Sequence, residues 1–96
     1  MPTVFVAAAL RDFTGGRAEI ALPGTPATVR AALDVLFAAH PGLRDRVVDE
    51  TFTVRRHVNV FVGAESIRGL GGLDAALAEG DELAILPAVS GGTGAS

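Results

Sequence analysis

The segment that most constrains this chain is Val29 to Ala39, which holds neither Gly nor Pro. Within it Val29, Ala32, Leu33, Leu36 and Phe37 recur at i, i+3, i+4, i+7 and i+8. That spacing predicts an amphipathic helix with one apolar stripe. Thr28 is placed to cap its start, and His40-Pro41-Gly42 is expected to stop it. Arg30 and Asp34 fall four apart on the wet side. One helix with one stripe can cover one face of one sheet, which directs the chain toward a two-layer α+β arrangement.

The rest of the chain supplies that sheet. Residues 3–8 are rich in β-formers and predict a first strand. Arg11 to Arg17 contains Asp12, Thr14, Gly15 and Gly16, which is turn chemistry, and residues 18–22 return as a second strand. After the helix, Leu43 to Val48 predicts a short helical turn and Asp49 to Arg56 a polar connection. Val58-Asn59-Val60-Phe61-Val62 is a strong strand, with a short return at Glu65 to Arg68. A helical turn is expected at Asp74 to Leu77, and the last strand at Glu82 to Leu86, ended by Pro87. The expected order is β-β-α-β-β-β.

Alternation of side chains puts Val58, Val60 and Val62 toward the helix and Asn59 and Phe61 on the other face. Phe37 is a core candidate, while Phe5 and Phe61 are candidates for an exposed apolar patch. With 96 residues the chain is one domain, expected over 1–89, followed by a small-residue tail over 90–96.

Composition narrows the function. There is no Cys, so disulfides, thiolate metal sites, iron–sulfur clusters and thiol nucleophiles are excluded. The two His show no ligand spacing, so no metal is expected. All eight cationic residues are Arg, and without Lys no Gly-Lys-Ser/Thr phosphate loop exists. A net charge of −3 argues against nucleic acid as a partner. The N-terminus has no basic region and no stretch approaches a membrane span, so a cytoplasmic, membrane-free protein is expected. A chain so poor in reactive side chains is not expected to be an enzyme by itself.

Gly15-Gly16 and Gly71-Gly72 read as backbone turns. Gly91-Gly92 differs, because it follows the last strand and Pro87-Ala88-Val89-Ser90. Two residues without Cβ atoms can enter a cleft too narrow for side chains. On composition alone, however, a frayed Gly/Ser/Ala terminus is the default reading.

Taken together, Val58 to Val62, Ile67-Arg68 and the run Glu79-Gly80-Asp81-Glu82-Leu83-Ala84-Ile85-Leu86-Pro87-Ala88-Val89-Ser90-Gly91-Gly92 resemble the MoaD/ThiS family of ubiquitin-like sulfur carriers. Thr14-Gly15-Gly16 and the ending Ile85 to Val89 look most like its CysO-type members. The resemblance implies a β-grasp fold, a mixed sheet covered on one face by one main helix. It also implies a mechanism. An adenylating enzyme of the MoeB/ThiF type uses ATP to activate the Gly92 carboxylate, and no cofactor stays bound to the carrier. A sulfur donor displaces AMP to leave a thiocarboxylate, which passes sulfur to an acceptor. A cysteine synthase, molybdopterin, thiazole or another sulfur-containing metabolite would complete the pathway. Gly91 and Gly92 would thread the partner's cleft, with Phe5, Phe61 and Leu86 as docking candidates.

One departure from the family pattern bears on this. A working carrier ends at the second Gly, whereas here Thr93-Gly94-Ala95-Ser96 follow. The expectation is a precursor, cut between Gly92 and Thr93 by a protease such as a JAMM-type metalloprotease. Residual cloning sequence is the bland alternative. Three other roles stay open: a protein modifier joined through Gly92 to target lysines, a molybdopterin synthase small subunit, or a non-reacting interaction module.

Overall fold

The computed structural model describes residues 2–78 and 80–87. Its strands are β1 (Thr3–Val6), β2 (Glu19–Ala21), β3 (Val58–Val62), β4 (Glu65–Ser66) and β5 (Glu82–Pro87), and its α-helices are α1 (Val29–Ala39) and α2 (Pro41–Val47). The sheet order is β2-β1-β5-β3-β4. β1 pairs with β5 in parallel, and the other three pairings are antiparallel, so the sheet is mixed. The expected order of strands and helix is the one observed.

α1 forms where its periodicity placed it. The Thr28 hydroxyl accepts from the Ala31 N–H at 3.2 Å, which satisfies one of the donors a helix leaves unpaired at its start. Val29, Ala32, Leu33, Leu36 and Phe37 are all buried. They meet Val4, Val6, Val58, Val60, Leu83 and Ile85 in one core. Burying one such aliphatic side chain stabilises the fold by about 1.5–3 kcal/mol.

Local chemistry shifts several boundaries. β1 stops at Val6, and Ala8–Phe13 form a 3₁₀ turn that puts Leu10 into the core. An Ala-rich run has little preference for extended backbone, so burial of Leu10 decides its shape. Pro41 ends α1 but also begins α2, since proline suits the first helical position. Leu43 and Val47 of α2 are fully buried. The return strand covers only Glu65–Ser66, because Ile67–Gly69 turn as a 3₁₀ segment that buries Ile67. The turn expected at Asp74 to Leu77 lies at Gly72–Asp74. The residues after it pair with the start of α1: Val29 N–H donates to the Ala75 carbonyl and Leu77 N–H to the Ala27 carbonyl. Pro87 is part of β5 as its last residue, where a missing N–H breaks no further ladder.

The turn between β1 and β2 is fixed by Thr14, the one buried polar residue among those described. Its hydroxyl lies 2.9 Å from the Arg17 carbonyl and 3.1 Å from the Arg11 carbonyl. Gly15 and Gly16 follow with φ of +67° and +86°, a conformation that residues with a Cβ avoid.

Candidate functional site

β5 is the axis of the site. It lies at the centre of the sheet, and it is the strand that leads toward the tail. Along it Leu83 and Ile85 point into the core and are fully buried, while Ala84 and Leu86 alternate onto the face away from α1. On that open face Phe5 of β1 and Phe61 of β3 both stand opposite Ala84. With strands about 4.8 Å apart, the two Phe backbones are separated by about 10 Å, with Ala84 between them. Both rings are half-buried. Leu86 is next along β5 on the same face and is 38% exposed. The three docking candidates therefore share one face, with the small residue Ala84 between the two Phe positions.

This face has a polar border on the β3 side. Asn59 stands opposite Leu86, and its side-chain carbonyl accepts from the Arg68 guanidinium. Arg68 also donates to the Val58 carbonyl at 3.1 Å. It thereby occupies the edge of β3 that the short β4 leaves unpaired. Parity made the position of Asn59 legible; its partner, nine residues along the chain, was not.

Pro87 closes the described part of β5 opposite Val58. Gly91, Gly92 and Thr93, the residues assigned to activation, threading and processing, lie outside the described residues, as does the boundary between the domain and tail at 89 and 90. From Pro87 to Gly92 there are five residues, which can span at most about 17 Å when extended.

Sequence reasoning did not find the groove at this end of the sheet. Leu10, Phe13, Arg46, His57, Val58 and Pro87 line it. The Arg46 guanidinium sits 4.8 Å from the Phe13 ring centroid, within cation–π range. His40, the other histidine, serves α1: its N–H donates to the Leu36 carbonyl at 2.9 Å. Among the described residues, no three His, Asp or Glu side chains come together as metal ligands. No helix among them is long and apolar enough to cross a membrane.

Comparison with known proteins gives this geometry its context. The model of the ThiS family matches residues 4–92. The sulfur carrier protein CysO of Mycobacterium tuberculosis is 38% identical over 92 residues, covering 94% of this chain and 97% of the relative. Small archaeal modifier protein 1 of Haloferax volcanii is 46% identical over 66 residues, 69% of this chain and 71% of its own length. Among solved structures, a chain of the Amycolatopsis orientalis BexX/CysO complex superposes with a TM-score of 0.85 at 40% identity. That match covers 95% of this chain and 99% of the other.

Proposed function

The chain belongs to the ThiS family and has its ubiquitin-like β-grasp fold, and from that membership we propose that it carries sulfur on the carboxylate of Gly92. The observation that carries the reading is the extent of the likeness: the family match runs through residue 92, and the CysO relative aligns over nearly its whole length.

The chemistry fits a chain without thiols. In a partner enzyme, a Gly92 carboxylate oxygen attacks the α-phosphorus of ATP and pyrophosphate leaves. A sulfide equivalent then attacks the acyl carbon of the mixed anhydride, AMP leaves, and a thiocarboxylate remains. The carrier contributes no catalytic side chain. It contributes its C-terminal segment and a face to dock, and the apolar patch of Phe5, Ala84, Phe61 and Leu86 is the docking face we assign. Phe rings at the centre of an apolar patch are the kind of anchor that dominates protein interfaces. That A. orientalis CysO forms a complex with BexX supports docking as the way such a chain works.

Residues follow Gly92 here, so the reading includes hydrolysis of the Gly92–Thr93 bond, for which a JAMM-type metalloprotease is suited. Acceptance of the sulfur by a cysteine synthase, or by an enzyme making molybdopterin or another sulfur metabolite, completes the proposal. The likeness to a small archaeal modifier protein favours a second reading, in which Gly92 is joined to a target amine. With no Lys, this chain offers no side-chain amine for chains of itself.

ATP–pyrophosphate exchange with an adenylating enzyme of the MoeB/ThiF type tests the site. We expect exchange with the form ending at Gly92, and none with the 96-residue chain or with Gly92→Ala. Exchange supported equally by all three would remove Gly92 from the mechanism. Covalent protein adducts in place of sulfur incorporation would favour the modifier reading.

A further inference from the structure

The end of the sheet from which the tail departs is cationic, although the chain as a whole carries −3. Arg11 donates from Nε to the Val6 carbonyl at 3.1 Å, and Val6 pairs with Ile85. Arg68 is held on the Val58 carbonyl at 3.1 Å, and Val58 pairs with Pro87. Arg56 and His57 lead directly into Val58, and Arg46 lies over Phe13 in the groove that Pro87 and His57 also line. Among the described residues none of these four arginines forms an ion pair; the pairs present are Arg30 with Asp74 and Arg44 with Asp45. Asp12 is the one carboxylate lining the groove.

The other end of the central strands is acidic. Glu82 begins β5 opposite Thr3, Asp81 precedes it, and Glu65 stands opposite Val62. The charge therefore runs from negative to positive along β5, toward the tail. Three of the cations are also fixed in advance, Arg11 and Arg68 by backbone carbonyls and Arg46 by an aromatic ring. Long side chains held this way lose less freedom when a partner arrives.

We propose that this collar of Arg11, Arg46, Arg56 and Arg68 docks on an acidic protein surface, the rim of the cleft by which the adenylating partner takes in the tail. The inference rests on the carrier reading above. Whatever protein receives Gly92 must approach the end of β5, and there it meets cations before it meets the face of Phe5 and Phe61. Opposite charge around the cleft mouth would turn the carrier so that its tail leads, raising the rate of productive encounter. A nucleic acid is a poorer fit, since its phosphates would have to run along a face that also bears Glu19 and Glu82.

The test is kcat/KM for the form ending at Gly92 with its purified adenylating enzyme, measured from low to high ionic strength. The Arg46→Gln/Arg56→Gln variant should lose about five-fold in kcat/KM at low salt, keep its kcat, and show a flatter salt dependence. Thr25→Glu/Ala64→Glu changes the net charge equally at exposed positions, Ala64 following Gly63, whose N–H donates to the Glu82 carbonyl at the acidic end, and should behave as wild type. Should the double variant melt early, Arg56→Glu replaces it, because Arg56 is exposed. Equal kcat/KM and equal salt slopes for wild type and collar variants would overturn the proposal while leaving the carrier reading intact. Loss of binding to a single-stranded oligonucleotide with unchanged kcat/KM would overturn it as well, in favour of a polyanion site. A wild-type chain that is not adenylated contradicts the carrier reading and the collar together.

Discussion

Thr28 and Asp49 do similar work at different levels of visibility. Thr28→Ala removes the hydroxyl that accepts from Ala31 N–H at 3.2 Å, and should cost about 1 kcal/mol, read as a lower urea midpoint at unchanged slope. That cap was legible, because a Thr immediately before an apolar-periodic run is a local signal. Asp49 was not singled out, since its segment reads only as a polar connection. In the fold its carboxylate accepts from the Thr51 hydroxyl at 2.7 Å and from the N–H groups of Thr51 at 2.9 Å and Thr53 at 3.1 Å. These bonds favour the charged form, chiefly the one from the Thr51 hydroxyl, and hold its pKa below the usual carboxylate range. The folded pKa is the lower one, so the stabilisation is present above the unfolded value near 4 and is lost as pH falls through the folded one. Asp49→Asn should therefore melt below wild type at neutral pH, and the two melting curves should converge in strong acid. The turn it closes holds Phe52 at φ +62°, with its ring edge-on to Phe37 at 5.9 Å.

At the level of elements, β5 separates the buried core from the face we propose for docking. Its inward residues and the α1 stripe form the core, so Leu36→Ala should cost about 3 kcal/mol by leaving a cavity among fully buried neighbours. Phe61→Ala, on the open face and half-buried, should cost clearly less stability yet raise KM for the adenylating partner. Equal destabilisation by both would mean that the open face is packed and not free to dock. The period-2 alternation of β3 and the 3.6 period of α1 were enough to place these residues on their faces. The register was not legible: that Phe5 and Phe61 flank one small residue, Ala84, depends on which strands meet at the centre of the sheet. The tail-end groove was hidden for the same reason. It gathers Leu10, Arg46, His57 and Pro87 from four separate stretches, and no local pattern relates them.

For the molecule as a whole, the parts point one way along β5. An acidic end, an apolar patch and a set of arginines follow each other toward Pro87, and the segment holding Gly91 and Gly92 comes next in sequence. Under the proposed carrier role the absence of Cys makes chemical sense, because sulfur held on a backbone carboxylate would need no side-chain thiol. The most direct test is the intact mass of the form ending at Gly92 after incubation with its adenylating enzyme, ATP and a sulfide source. The carrier account predicts a gain equal to the replacement of one oxygen by sulfur, confined to the C-terminal residue and absent from Gly92→Ala. An unchanged mass under conditions where ATP is consumed, or the same gain in Gly92→Ala, would contradict it.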